Sequence, residues 1–475
     1  MKKDKTLQQE QRRNLMLNAP IGSVIMKMAV PTIVAFLINS VYSLADTYFV
    51  SGLGEEATAA VGVNASLDQL IMMCGSMLAI GANSYIARLL GQNDHKKASQ
   101  VLSTAFYLAF GIGAVLLVLG STFMTPMVKL LGATPTCLQH SVDYATYVLM
   151  AAPFMAASFV MNQCLRSEGS ATLSMIGMGF GGILNCILDP FFILSAGDPL
   201  FGEAIRIPFG LGMGVAGASL ATAISKVVSF GILIFPYLTR RSVLHLSVRN
   251  FRPNRDIIGQ IVSVGSSSMF RSGLAVVAGI LLNKMAGNVS DALLAVIGVT
   301  TKVMMFPFSI ILGFGTGFQP VAGFNWGARR YDRVQQSFRF AAFAAIIGAA
   351  VMSAVLFIFA KPVISAFSEE GSDMLKYGAI CIQLQCIALP VHAWVAVVNM
   401  LCAGLGNAKG AFVLATSRQG TCFIPILYPL AIFFGAYGIA SVQAVADVLS
   451  MALAIPIAIS MSKKIKLARL EEESK

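Results

Sequence analysis

The chain has 475 residues, 56% hydrophobic and 12% charged, with a mean hydropathy of +0.75. Soluble globular chains carry about a quarter charged residues, and membrane β-barrels show alternating segments of ~10 residues; neither pattern is present, and long apolar runs recur over 23–461, so the fold class is an all-α polytopic membrane protein. The net charge of +12 does not call for a nucleic-acid partner, because Lys and Arg concentrate in short connections between apolar runs, as cytoplasmic loops do.

Residues 1–23, with Lys2, Lys3, Lys5, Arg12 and Arg13, form a polar tail. The apolar run behind it is longer than a signal-peptide core and no cleavage site precedes it, so the tail is expected to stay on and stay cytoplasmic. The first span, 24–51, is long enough to cross a bilayer at ~1.5 Å per residue. It carries Pro31, a helix hinge, and Asp46. A carboxylate at the centre of a membrane helix costs roughly 2.5–3.5 kcal/mol, which favours a use for Asp46 in a cavity, with Asn39, Ser40, Tyr42 and Ser43 on the same wet face.

Eleven further spans follow, at 57–87, 98–121, 139–163, 170–196, 212–238, 259–285, 290–324, 336–360, 377–404, 410–435 and 438–462. Twelve is even, so both termini share a side. Of the 34 Lys and Arg, 25 fall on that side and only Lys129, Arg206, Lys284, Lys361 and Lys376 opposite, which makes the termini cytoplasmic. Lys27, Lys226, Arg271 and Lys302 lie within or at the edge of helices. Arg88, Arg166 and Glu168 read as cytoplasmic helix ends where snorkelling makes charge cheap.

The sequence repeats itself. Gly62, Gly81, Gly91 and Pro126 match Gly298, Gly317, Gly327 and Pro362 at an offset of 236, and Pro153 and Gly169 match Pro390 and Gly406 at 237. Two homologous six-helix lobes inserted in the same orientation are expected around a central cleft, the architecture of a transporter whose bundles expose the cleft alternately. The domains are then a cytoplasmic tail (1–23), an N-lobe (24–238), a basic cytoplasmic linker (239–258), a C-lobe (259–462) and a C-terminal tail (463–475).

Ionisable residues inside the helices are Asp46, Asp68, Asp189 and Lys226 in the first half and Arg271, Lys302 and Asp447 in the second. Asn185 and Asp189 are four apart and share a helix face. Pro190 frees the carbonyl its missing N–H would have bonded, so a carboxylate, an amide oxygen and a carbonyl form a plausible hard-cation or proton site. Thr222 adds a hydroxyl one turn from Lys226. If spans one, five and six adjoin, Asp46, Asn185, Asp189 and Thr222 converge, and two desolvated carboxylates there would not both ionise easily. The bland alternative has Asp189 capping the Pro190 kink and Asp46 bonded to a neighbouring hydroxyl. Lys226 is either an internal counter-ion of the carboxylates or a snorkelling helix-end lysine. Asp68, one turn after Asn64, reads as peripheral. Arg271 and Lys302 are expected to pair with Asp447 or with backbone carbonyls, as a structural clamp unless the substrate is anionic.

The 24 Met and 31 Phe suit an adaptable apolar cavity. Pro153, Pro307, Pro390 and Pro425, like Pro31, would bend helices. Eight cysteines without a CxxC pair read as small buried hydrophobes. Four scattered histidines and the lack of Walker A, HExxH and GxSxG motifs exclude the common enzyme readings. With no nucleotide site, transport would draw on an ion gradient.

Taken together, AVPTIVAFLINSVYSLADTYFVSGLG, GANSYIARLLGQNDHKKAS, NCILDPFFI, GASLAT and GFQPVAGFNWGARRYDRV resemble the multidrug and toxic compound extrusion (MATE) family, the last its MepA-like bacterial branch. The resemblance implies twelve helices in two lobes and cation-driven drug export, with antibiotic resistance as its consequence. It assigns Pro31 and Asp46 to the bending first helix and its essential carboxylate. Asn185, Asp189 and Thr222 fall at cation-site positions, and Asn39, Tyr42 and Asn162 at polar positions of the N-lobe cavity. A sodium ion would be held by Asp46, Asn185 and Asp189. The acidic residue that another branch carries on helix seven is replaced here by VGSSSMFRSG with Arg271, which argues against a C-lobe sodium site.

The resulting expectation is a monomeric cytoplasmic-membrane antiporter, exporting amphipathic, often cationic drugs or toxic metabolites. It would exchange them for protons or sodium and need no other cofactor. A lipid-linked precursor flippase would be expected to carry extra helices or a strongly basic cleft. A major-facilitator antiporter would carry a different loop from RLLGQNDHKKAS, and a non-transporting scaffold would have no need of intramembrane carboxylates.

Overall fold

The computed structural model describes residues 2–198, 208–365 and 373–474. Arg206 and Lys475, both used in the loop-charge argument, lie outside them. The first half holds α1 (Lys2–Asn18), α2 (Ile21–Ser51), α3 (Glu55–Gly91), α4 (His95–Thr122), α5 (Met124–Leu130), α6 (Leu138–Ser167), α7 (Ala171–Ile193) and α8 (Val215–Leu238). The second holds α9 (Arg255–Val289), α10 (Asp291–Gly327), α11 (Tyr331–Ile358), α12 (Ala360–Ser365), α13 (Asp373–Gly404), α14 (Ala408–Thr416) and α15 (Phe423–Glu473). Among the described residues the β pairing is one isolated bridge, Ser195 to Leu211.

Eleven stretches are long and apolar enough to cross a membrane, and the last, Ala408–Glu473, is interrupted at Gly435 (φ 56°, ψ −130°). Only glycine adopts such a backbone freely, so this stretch comprises two helices and the described residues hold the twelve expected. Their ends fall within a few residues of those read from hydropathy, except that the last helix runs on to Glu473, so most of the expected C-terminal tail from 463 is helical. The short helices α5 and α12 begin 236 residues apart, the same offset as the matched glycines. Pro425 lies in the first turn of α15, where proline is tolerated. The distortion of this span is instead a π-turn at Ser417–Thr421.

The chain divides into two compact units, residues 1–6, 34–86 and 95–261 in one and 7–33, 87–94 and 262–475 in the other. Helix α2 is apportioned between them just after Pro31, whose ring removes one helical hydrogen bond. In the first unit α6 is the central helix, packed on α4, α7 and α8. Its small residues permit close approach, with Gly75 of α3 against Ala156 and Gly113 of α4 against Pro153. In the second unit α13 plays that part, packed on α10, α11 and α15.

The polar tail and the basic linker are both ordered by hydrogen bonds. Arg333 Nη2 donates to the carbonyls of Met16 (3.4 Å) and Ala19 (2.7 Å), covering carbonyls that the end of α1 leaves free. The linker is tied to α4: Ser99 Oγ accepts from His245 N (3.1 Å), Ser103 Oγ from Ser247 N (3.3 Å) and Thr104 Oγ1 from Arg252 N (3.1 Å).

Candidate functional site

On α7, Gly177, Gly181, Asn185 and Asp189 recur every four residues and share one face. The two glycines let α8 come close: an added Cβ on Gly177 would overlap Leu233, and one on Gly181 would lie 2.9 Å from Ser229 Cβ. Small residues at this spacing are how membrane helices pack tightly. Ser229 Oγ donates to the Gly177 carbonyl (2.8 Å) and pins the pair.

That contact carries Asn185 to Thr222. Asn185 Nδ2 donates both to Asp189 Oδ1 and to Thr222 Oγ1, each at 3.2 Å. Asp189 is 0% exposed, and Asn185 and Thr222 are buried with it. Asp189 Oδ2 and Asn185 Oδ1 are buried without a hydrogen-bond partner. Buried polar atoms are normally satisfied, and two unsatisfied oxygens on side chains bonded to each other and to a hydroxyl form an acceptor-rich cluster for a cation or a proton. Among the described residues no three His, Cys, Asp or Glu cluster as a metal site. One carboxylate with neutral oxygens suits a proton or a monovalent hard cation better than a transition metal.

Helix α2 closes a second side of α7, with Ile38 against Gly179 and Gly182 and Tyr42 Cβ 3.8 Å from an added Cβ on Gly182. The condition set from sequence, that spans one, five and six adjoin, is therefore met. Asp46 is in electrostatic reach of Asp189, though no hydrogen bond joins them, and its Oδ1 has no hydrogen-bond partner. It does not share the hydrogen-bonded set of Asn185, Asp189 and Thr222. The Lys226 ammonium lies 5.0 Å from the Tyr42 ring centroid and within electrostatic reach of both Asp46 and Asp68. Lys226 thus faces the carboxylates rather than the cytoplasmic helix end. Asp68, which reads as peripheral in the sequence, belongs to the same network.

A cavity of about 60 Å³ opens beside this network, lined by Asn39, Asn162, Ser158 and Lys226 together with Met72, Met155 and Met178. Asn39 and Asn162 are among the expected cavity residues; Tyr42 instead supports the lysine that lines it. Asn162 Nδ2 donates to the Ser174 carbonyl (3.0 Å). Ser158 and the three methionines were not singled out from sequence, where only the abundance of Met pointed to such a wall.

Two expectations are corrected. Arg166 and Glu168 do not snorkel. Arg166 is 1% exposed, bonded through Nε to Ser174 Oγ (2.9 Å) and 5.5 Å from the Phe36 ring, while Glu168 Oε2 accepts from Ser242 Oγ and from Val243 N (3.1 Å). Nor does Arg271 or Lys302 pair with Asp447. Lys302 is exposed, and Arg271 Nη2 donates to Ser268 Oγ (3.3 Å). The partner of Asp447 is Arg418, Nε to Oδ1 at 2.7 Å. Arg418 looks cytoplasmic in the sequence because SRQGT is a polar run soon after a helix start. The π-turn lies inside the span, beginning nine residues beyond the start of α14, and keeps Arg418 there.

The MatE family model matches residues 31–191 and 268–429, one stretch in each half. The multidrug export protein MepA of Staphylococcus saprophyticus is 27% identical, covering 87% of this chain and 88% of its own length. Its Staphylococcus aureus counterpart is 24% identical, covering 89% and 90%. The fold is similar to that of a MATE protein crystallised in complex with MaL6 (TM-score 0.87, 23% identity, 96% of this chain and 99% of that one). It is also similar to an outward-facing multidrug resistance MATE transporter (TM-score 0.86, 24% identity, 96% and 98%). The family is one of multi-pass membrane transporters rather than enzymes. With both halves matched over most of its length, the chain belongs to the MatE family.

Proposed function

We propose that this protein is a cation-coupled multidrug efflux antiporter of the cytoplasmic membrane, with both termini cytoplasmic. The observation that carries the reading is the buried cluster of Asp189, Asn185 and Thr222, where two oxygens lack partners, near a cavity walled by methionine and amide side chains. The polarizable, unbranched thioethers adapt to varied apolar cargo, and Asn39 and Asn162 offer polar contacts. A proton or sodium ion, as co-substrate, is held by Asp189 with Asn185 and Thr222, and Asp46 adds its charge from α2. Lys226 balances Asp46 and Asp68 when no external cation is bound.

Exchange of cargo for the ion then proceeds by alternating exposure to the two sides of the membrane. One elementary charge crossing 100 mV is worth ~2.3 kcal/mol, which supports a cargo gradient on the order of 50-fold at about 1.4 kcal/mol per tenfold. The test is dye efflux from vesicles under an imposed pH gradient or an imposed sodium gradient. Wild type is expected to respond to at least one gradient, and Asp189→Asn to insert normally and respond to neither. Gradient-driven efflux retained by Asp189→Asn would overturn the reading.

A further inference from the structure

The second unit holds a charge cluster that the ion-coupling site does not use. Asp447 is 3% exposed. Its Oδ1 receives Arg418 Nε at 2.7 Å and Gln443 Nε2 at 3.4 Å, with His392 Nδ1 at 3.9 Å. The Arg418 guanidinium stacks 4.2 Å from the Phe308 ring centroid, and the His392 ring meets the same Phe308 edge-on at 5.4 Å. Arg271 is in electrostatic reach of Arg418, and both act on His392. Arg418, Gln443 and His392 therefore gather on one carboxylate, and a second guanidinium, Arg271, lies in electrostatic reach of Arg418 and His392.

The imbalance is what needs an explanation. Arg418 satisfies one charge of Asp447, and Arg271 has only the neutral Ser268 hydroxyl as a hydrogen-bond partner in the cluster. Arg418 Nη2 and His392 Nδ1 are buried without hydrogen-bond partners. A half-buried guanidinium at membrane depth without a counter-charge is costly, and ionisable groups kept there mark binding sites and pathways. A scaffold clamp needs one arginine per aspartate; this cluster has a second.

We propose that Arg271, Arg418 and His392 form a binding site for the carboxylate of an aromatic amphiphile. A guanidinium fork matches a planar carboxylate in geometry. One surplus positive charge calls for one negative charge rather than a phosphate dianion. Phe308, packed under Arg418 and met edge-on by His392, supplies an aromatic wall for the ring of such a compound. The inference rests on the export reading only for the direction of movement; binding stands on this cluster alone.

The probe is a xanthene dye with a free benzoate and the methyl ester of the same dye, titrated by fluorescence anisotropy into the purified full-length protein. A charge-assisted hydrogen bond is lost in the ester, so wild type is expected to favour the acid by about tenfold. Arg271→Gln is expected to abolish that preference while ester binding stays within about twofold. The double variant Arg418→Gln/Asp447→Asn, which strands neither partner of the ion pair and removes one of the two guanidinium forks, provides a second reading should Arg271→Gln fold poorly, and is expected to weaken the preference severalfold. Benzoate should displace the acid dye, and chloride at equal concentration should not. Equal affinity for acid and ester in wild type, a preference that survives both variants, or equal displacement by chloride would each overturn the site. Asp189→Asn is expected to keep the acid preference while losing gradient-driven efflux, so failure of the coupling site is distinguishable from failure of this one.

Discussion

Gly91 and Gly327 occupy each other's place. A Cβ on Gly91, at the end of α3, would overlap the carbonyl oxygen of Phe324; one on Gly327, at the end of α10, would overlap that of Arg88. The two lie 236 residues apart, and so do Gly62 and Gly298, which have nothing within 4 Å of an added Cβ. Alanine at 91 or 327 must therefore push two backbones apart, and is expected to lower the melting temperature of the solubilised protein sharply. Alanine at 62 or 298 relieves a flexible helical glycine and is expected to be neutral or to stabilise by up to about 1 kcal/mol. Melting curves of the four single variants check this; equal effects at all four would sink it.

These pairs also mark what the sequence could and could not reveal. The offset of 236 disclosed the duplication, and hydropathy gave the helices, because a bilayer imposes length and apolarity on every span. Neither distinguishes Gly91 from Gly62, since close backbone approach depends on a partner far along the chain. The same limit applied to charge. Asn185 and Asp189 were legible as a pair through helical spacing, and Thr222 through its neighbourhood to Lys226. Asp68 joins them only because α3 and α8 fold together. Arg418 was missed because a π-turn places a polar run inside a span, where periodic reading takes it for a helix end.

The Asn185 amide donates to both of its neighbours at 3.2 Å, leaving its own oxygen and Asp189 Oδ2 as acceptors. Thr222→Ala deletes one acceptor and one hydrogen-bond partner but keeps the carboxylate. Its expected effect is a rise of about tenfold in the ion concentration for half-maximal efflux, as for loss of one net hydrogen bond, with the maximal rate largely kept. Asp189→Asn should abolish the ion dependence altogether. Efflux rates in vesicles over a range of proton and sodium concentrations separate the two. An unchanged half-maximal concentration in Thr222→Ala would remove that hydroxyl from the site.

Lys226 sits over the Tyr42 ring at 5.0 Å, within electrostatic reach of both Asp46 and Asp68. Replacing it by Met keeps the length of the side chain and removes the internal cation, leaving two carboxylates to attract an external one. Lys226→Met is therefore expected to become stabilised by sodium relative to a bulky organic cation at equal ionic strength. Ligand linkage gives ~2.7 kcal/mol at a hundredfold excess over the dissociation constant. Tyr42→Leu removes a cation–π contact worth about 2 kcal/mol when desolvated and should destabilise the protein without adding sodium sensitivity. Thermal melts of both variants with and without sodium test the distinction.

The Arg418–Asp447 pair allows the cost of an orphaned charge to be measured directly. Asp447 is almost fully enclosed, and its Oδ1 lies 2.7 Å from Arg418 Nε. Asp447→Asn strands Arg418 beside Arg271, and breaking a buried pair from one side typically costs about 3–5 kcal/mol. Arg418→Gln strands the carboxylate instead, but Gln443 and His392 remain beside it, at 3.4 and 3.9 Å, so its cost should be smaller. The double variant removes both charges and is expected to be more stable than Asp447→Asn, because the surplus positive charge falls with Arg418. A double-mutant cycle from denaturant or thermal unfolding reads all three. If the two single costs simply added in the double variant, the pair would be uncoupled, and the contact would owe its geometry to packing around Phe308 rather than to charge.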